Sequence, residues 1–117
     1  MTPGDSARVV RRPGLRSRVL LQEGDVAQAA LAVTWVDVEP GAGQDPHAHE
    51  PQQVYVIVRG TGRMLVGDEE RDVGAGDLVF IASGARHGIA NTGDETLTYV
   101  SAATPAFSVT GLYETGF

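Results

Sequence analysis

The sequence predicts one all-β domain built from short strands and tight turns. Its 117 residues are enough for a single hydrophobic core and suggest no second domain. The 15 glycines and six prolines lie between short apolar runs and follow no repeat. Frequent turns between short apolar runs are typical of a β-sandwich or a β-barrel.

The first third of the chain is predicted to form an arm followed by two strands. Residues 1–14 mix proline, glycine and arginine, so we expect a flexible arm ahead of a barrel domain over residues 15–117. Leu15–Gln22 predicts the first strand. Alternating apolar residues predict the next strand near the end of residues 28–39, although Val26–Val33 is rich in alanine and also fits a helix.

The rest of the chain repeats a strand–turn–strand rhythm. Glycines and Asp/Gly steps supply the turns, as in the hairpin expected at Gly67-Asp68. The apolar runs between these turns predict strands over residues 54–59, 63–66, 71–73, 78–81 and 96–103. The apolar tail, which holds Phe107, Leu112, Tyr113 and Phe117, is expected to cap the open end of the fold.

The composition excludes several classes of protein. A net charge of −6 argues against a nucleic-acid surface, which needs concentrated positive charge. We interpret the arginines at positions 8–18 as a solvated strand or arm, with contact to an anionic partner as the alternative. Without any cysteine the chain has no disulfide, no thiolate nucleophile and no cysteine-ligated metal cluster.

The distribution of apolar residues gives no sign of membrane attachment. No apolar run approaches the length of a membrane span, and the N-terminus lacks the apolar segment of a signal peptide. The default expectation is therefore a cytoplasmic protein with no membrane partner.

All three histidines of the chain lie in two short segments. His47 and His49 are two residues apart, so on an extended strand their side chains point to the same face. His87 follows the strand predicted over residues 78–81. Two imidazoles on one face of a sheet, joined by a third, are a pattern that binds a metal ion.

The residues around the histidines resemble the two sequence motifs of the cupin family. The first motif has matching residues at Gly41, His47, His49 and Gly60, while Gln53 stands where the family usually has glutamate. The second motif has matching residues at Gly76, Gly84, His87 and Asn91, while Ala82 replaces the usual proline. Both motifs occur in the family's order, and 15 residues separate them.

This resemblance implies a double-stranded β-helix, the jelly-roll barrel of cupins, with a metal site inside. The implied ligands of one divalent ion are His47, His49, Gln53 and His87. The metal would be Fe, Mn, Ni, Co, Cu or Zn, because imidazole and amide donors suit all of them. Since cupins commonly pair through an outer sheet face, the resemblance also implies a homodimer.

Gln53 is the main departure from the family pattern. Its amide oxygen can coordinate a metal but carries no charge, so the ion would keep its full charge and attract anionic substrates. Two alternatives remain open: a three-histidine site with Gln53 nearby but unbound, and coordination by Glu50. Strand alternation points Glu50 away from the histidine face, which makes it the weaker candidate.

Further pocket residues follow from counting by twos along the strand after Gln53. Tyr55, Ile57 and Arg59 should then face inward, although Arg59 is close to the strand end. Tyr55 is the candidate catalytic residue, as a proton donor or substrate-orienting group, with simple packing as the alternative. Trp35 is expected to line or close the barrel, and Asn91 to fix the turn that follows it.

The metal site predicts a metal-dependent enzyme that acts on a small oxygenated substrate, and the resemblance to small cupins implies a sugar acid, an enol or a polyketide-like molecule. The reaction would be dioxygenase chemistry or Lewis-acid chemistry of the isomerase or ring-opening type. The alternative, from a different class, is a cupin module that binds a metal or small ligand without turnover. A metal-free sugar epimerase is less expected, because neither a His–Asp dyad nor a basic phosphate pocket is evident.

Overall fold

Residues 8–109, which the computed structural model describes, form two antiparallel β-sheets. The strands are β1 (Arg8–Arg12), β2 (Leu15–Leu21), β3 (Ala32–Val38), β4 (Gly43–His47), β5 (Gln52–Arg59), β6 (Thr61–Val66), β7 (Glu69–Gly74), β8 (Leu78–Ile81), β9 (His87–Asn91) and β10 (Leu97–Thr104). One sheet has the strand order β1-β2-β3-β10-β5-β8 and the other β4-β9-β6-β7. The predicted all-β jelly roll is confirmed.

Strand alternation builds the core between the two sheets. Along β3 every second residue is buried, and Val38 has no exposed surface. Tyr55 and Ile57 face inward from β5, as predicted, and pack in the same cluster as Ile89 from the opposite sheet. The period of two therefore assigns one face of each sheet to the core and the other to solvent.

Two of the sequence-based expectations for individual side chains are wrong. Trp35 lies on the outer face of β3, where its Nε1 donates to the Asp37 carboxylate over 3.3 Å and the Arg18 guanidinium lies over its ring. Arg59 is exposed, because β5 ends at this residue. Neither residue lines the barrel.

The segment between β2 and β3 contains turns and irregular backbone instead of the alternative helix. Asp25 N donates to the Gln22 carbonyl and Ala29 N to the Val26 carbonyl, which are short-range turn contacts. The strand begins only at Ala32, after which valine, threonine and tryptophan favour extended backbone.

The residues expected to form the N-terminal arm lie partly outside the described range. Within that range, β1 runs antiparallel to β2 and forms the edge of the larger sheet. Arg8 forms an ion pair with Asp25, which connects this edge to the turn after β2. Residues 1–7 and 110–117 are not described, so Leu112, Tyr113 and Phe117 fall outside the structure.

Close approach of β4 to β9 brings the two histidine segments together. A Cβ atom added at Gly88 would lie 3.0 Å from the Gln44 carbonyl oxygen and 3.1 Å from Pro46 N, so glycine lets the two backbones approach. In the resulting register His47 pairs with His87. No helix within residues 8–109 is long and apolar enough to cross a membrane.

Candidate metal centre

The three histidines converge at one end of the barrel. His47 ends β4 and His87 begins β9, and their ring centroids are 4.4 Å apart. His49 lies beyond the end of β4, contrary to the expectation of a continuous strand, yet its ring centroid is 5.2 Å from that of His87. The three residues offer ligand atoms that all lie within 4.8 Å of one another.

Backbone carbonyls fix how two of the imidazoles are turned. Nδ1 of His47 lies 2.9 Å from the Asp45 carbonyl oxygen, and Nδ1 of His87 lies 2.9 Å from the Ala85 carbonyl oxygen. In each neutral ring Nδ1–H donates to the carbonyl, so Nε2 carries the lone pair. The same arrangement orients metal-ligating histidines generally.

The loop that carries His49 is hydrogen-bonded to the loop before β9. Gly84 N donates to the His49 carbonyl over 3.0 Å, which connects the two histidine segments outside the sheet. The ring of Phe107 covers His49 with a centroid distance of 5.5 Å. Of the tail residues that were expected to cap the open end, Phe107 contacts the site at this ring and lines its cavity.

Gln53 connects the histidines to the larger sheet. Its Nε2 lies 2.7 Å from His87 Nε2 and 3.1 Å from His49 Nε2, so the amide N–H groups donate to both imidazoles. Its Oε1 accepts a 3.0 Å hydrogen bond from the Ser101 hydroxyl on β10. With 4% of its surface exposed, Gln53 is a buried amide whose polar groups all have partners.

Burial keeps all three imidazoles neutral near pH 7. Desolvation lowers the pKa of His87 to about 4, and it also lowers the pKa values of His47 and His49. The positive charge of Arg12 lowers the pKa of His47 further, and a charge on His47 would do the same for His49. Neutral imidazole is the form that ligates metals.

The site opens into a small cavity of about 40 Å³. Tyr55 and Tyr99 line it and stack on one another with ring centroids 4.4 Å apart. Tyr55 also lies edge-on to His87, 5.9 Å between centroids. The remaining lining residues are Thr34, Val36, Gln44, His47, His49, Gln53, Ser101, Phe107 and Val109.

The donors fit a divalent metal ion. In the described structure, the lone pairs of His49 and His87 are directed at the partly positive N–H groups of the Gln53 amide, where a cation would also be attracted. Three neutral nitrogens with a nearby amide suit a divalent ion with an open coordination position. Within residues 8–109, no other group of three or more histidine or acidic side chains brings its ligand atoms this close together.

Comparison with known proteins decides the family. Residues 34–103, more than half of the chain, match the family model described as the Cupin domain. The chain is a cupin. The oxalate-binding protein of Thermotoga maritima is 33% identical to this cupin over 83 residues, which are 70% of this chain and 69% of the relative.

Solved structures agree with this cupin in fold. A predicted oxalate decarboxylase from Thermotoga maritima has a TM-score of 0.79 at 23% identity, and the match covers 90% of this chain and 98% of that one. An RmlC-like cupin from Shewanella frigidimarina has a TM-score of 0.77 at 21% identity, covering 91% of this chain and 90% of that one. At these identities the likeness concerns the fold alone.

Sequence analysis missed two residues of the site in this cupin. Ser101 and Tyr99 lie on β10, facing the cavity from the larger sheet. The alternation of strand residues could have identified them, because Leu97, Tyr99 and Ser101 are two residues apart along β10 and so share the inward face. Asn91, in contrast, acts as predicted: its Oδ1 accepts from Gly93 N, and its Nδ2 donates to the Val38 and Glu95 carbonyls.

The lowered pKa of His87 predicts that the metal-free cupin loses stability on acidification. Between pH 6.5 and about 4 the unfolded chain accepts a proton at this position and the folded chain does not. The free energy of unfolding should therefore fall as the pH falls through this range, by up to about 1.4 kcal/mol per pH unit for this group. Urea unfolding at several pH values, with a chelator present, measures the slope.

The control for this prediction is the variant His87→Gln, which has no group titrating at this position. Its free energy of unfolding should depend less on pH between 6.5 and 4 than that of the original chain. Identical slopes in the two proteins would show that His87 is protonated normally in the folded state.

Proposed function

We propose that this cupin binds a small oxygen-chelating anion, of the size and charge of oxalate, through a divalent metal ion. The observation that carries the proposal is the cluster of three neutral imidazoles beside a cavity that His47 and His49 line and that has no acidic lining residue in the described part of the chain. His47, His49 and His87 would hold the ion, with Gln53 as the fourth ligand. When bound there, the metal supplies Lewis-acid attraction for ligand oxygens.

Neutral ligands favour an anionic guest. Three imidazoles and a carboxamide leave the charge of a divalent ion uncompensated, and burial increases its effect on a nearby anion. Glu50, the rival oxygen donor, is exposed on the loop between β4 and β5. Gln53 is buried and directly contacts two of the histidines, which supports it as the fourth ligand.

The cavity volume favours a very small ligand. About 40 Å³ holds on the order of three water molecules, which a two-carbon dicarboxylate could replace when it chelates the metal. The relative from Thermotoga maritima that is 33% identical is named an oxalate-binding protein, which agrees with this size and charge. The candidate metals remain Fe, Mn, Ni, Co, Cu and Zn, since the donor set suits each.

Isothermal titration calorimetry tests this function in two steps, first with Mn²⁺ or Zn²⁺ and then with oxalate. Oxalate should bind the metal-loaded protein and not the chelator-treated protein, because the metal supplies the charge. The variant His49→Ala should weaken metal binding about 100-fold. The control Gln52→Ala, which changes an exposed neighbour of Gln53, should leave both steps unchanged.

Oxalate binding that persists without metal, or metal binding that His49→Ala leaves intact, would contradict the proposal. Acetate serves as the ligand control, because it has one carboxylate and cannot chelate as oxalate does. Equal affinities for acetate and oxalate would contradict the chelating geometry while leaving the metal site standing.

Turnover is the second candidate function, and the position of Tyr55 favours it. Tyr55 is buried, lines the cavity and lies edge-on to His87. With the histidines assigned to the metal, the phenols of Tyr55 and Tyr99 are the proton donors among the cavity-lining side chains, and Tyr55 is the one whose ring contacts His87. An enzyme here would use Tyr55 to protonate or orient a small oxygenated substrate, in isomerase, ring-opening or dioxygenase chemistry.

The variant Tyr55→Phe separates turnover from binding. It keeps the stacking ring on Tyr99 and removes only the hydroxyl, so oxalate affinity should change by less than about threefold. Loss of oxalate, uronate or dioxygen would be followed in both proteins with metal present. Turnover that falls 10²-fold or more in Tyr55→Phe supports an acid–base role; no turnover in the original chain with any of these substrates leaves the binding function alone.

We further propose that two copies of the chain pair through the outer face of the larger sheet. In the β5–β8 register Val56 lies opposite Leu78 and Val54 opposite Phe80, and Val100 of β10 lies beside Val56. Leu78 and Phe80 are 62% and 57% exposed. The patch formed by these five apolar side chains carries no charge of its own, so on a chain of net charge −6 it is where two copies can pack with little repulsion.

The variant Leu78→Glu should convert the dimer to a monomer in sedimentation equilibrium. The two-fold axis brings a glutamate from each copy into the apolar contact, so two buried charges destabilise the dimer. The matched control is Val26→Glu, since Val26 is 51% exposed and lies in the segment between β2 and β3. A wild-type protein that sediments with the mass of one chain at all concentrations would contradict the pairing.

A further inference from the structure

Ser101 is the partner of Gln53 on the side away from the histidines. Its hydroxyl donates to Gln53 Oε1 over 3.0 Å, while Gln53 Nε2 donates to His87 and His49. The Gln53 amide is thereby held with its nitrogen toward the imidazoles and its oxygen toward β10. This orientation is the one that a site without a cation prefers, because the amide N–H groups satisfy two imidazole lone pairs.

A cation between the imidazoles requires the opposite orientation. Its charge repels N–H groups and attracts a carbonyl oxygen, so the amide must turn by about 180° to present Oε1. Nε2 then faces Ser101. In a buried site an unpaired N–H group is costly, so the turned amide needs an acceptor where it previously had a donor.

A hydroxyl group meets both requirements. Ser101 Oγ can donate to Oε1 in one orientation and accept from Nε2 in the other, because a hydroxyl has one proton and two lone pairs. A backbone carbonyl or N–H group in its place would allow one orientation only. Ser101 is half-buried on β10, so the strand fixes the position of its hydroxyl against Gln53.

We propose that Ser101 is a positioning residue that lets the Gln53 amide turn its oxygen toward the metal. The inference rests on the proposed metal site and adds a residue that neither motif contains. Ser101 makes no contact with the ion in this arrangement and acts only through Gln53. Its loss should therefore weaken metal binding, and it should do so only when Gln53 is present.

Zn²⁺ binding to the full chain tests the proposal through a double-mutant cycle measured by calorimetry. Ser101→Ala should weaken Zn²⁺ binding about 10- to 100-fold, the range typical for partners of metal ligands. In the Gln53→Ala background the same change should alter Zn²⁺ affinity by less than about twofold. Ser101→Thr keeps the hydroxyl and should bind Zn²⁺ as the original chain does.

Nuclear magnetic resonance gives a second readout that does not depend on affinity. Without metal, the Gln53 amide protons should show nuclear Overhauser effects to the rings of His87 and His49. After Zn²⁺ is added, these effects should be replaced by effects to the Ser101 side chain. Amide protons that keep their contacts to the imidazoles with Zn²⁺ bound would overturn the proposal.

The outcomes of the cycle separate the proposal from the metal site itself. Unchanged Zn²⁺ affinity in Ser101→Ala, or an equal loss in both backgrounds, would overturn the role of Ser101 while the metal site stands. If the original chain binds no Zn²⁺, the proposed metal site fails and the role of Ser101 fails with it. Thermal unfolding of the metal-free variants identifies any loss that comes from the fold.

Discussion

The hydrogen bonds from His47 and His87 to backbone carbonyls are the interactions on which the site depends. They hold each Nδ1 as a donor, and so leave each Nε2 as the acceptor. Both carbonyls lie within the histidines' own segments, two residues before each ring, so the local chain determines the ring orientation. The pairing of β4 with β9 then places the two oriented rings opposite each other.

The jelly roll completes this centre with groups from the other sheet. The adjacent strands β5 and β10 of the larger sheet supply Gln53, Tyr55, Tyr99 and Ser101. Buried neutral donors arranged in this way favour a cation, and the cation in turn favours an anion in the remaining volume. The uncharged donor set and the small cavity are the two features on which the proposed guest, a compact chelating carboxylate, rests.

The strands and the histidine cluster could be predicted from short-range patterns in the sequence, whereas the jelly-roll topology was implied by the resemblance to cupins. Glycine spacing and strand alternation predict the strands, and three histidines in two motifs predict the cluster. The prediction for Trp35 is wrong because this residue has the strand phase opposite Val36 and Val38, and that phase faces outward. Strand phase along β10 could have placed Ser101 at the cavity, but its pairing with Gln53, 48 residues away, could not be read from a local pattern.

The coordination of a bound ion tests the central claim most directly. X-ray absorption spectroscopy of the Zn²⁺-loaded chain, compared with His49→Ala and Gln53→Ala, counts the nitrogen and oxygen ligands. We expect three imidazole nitrogens at about 2.0–2.1 Å and one oxygen that disappears in Gln53→Ala. A spectrum with fewer than three imidazoles, or one that His49→Ala leaves unchanged, would contradict a metal centre at this end of the barrel.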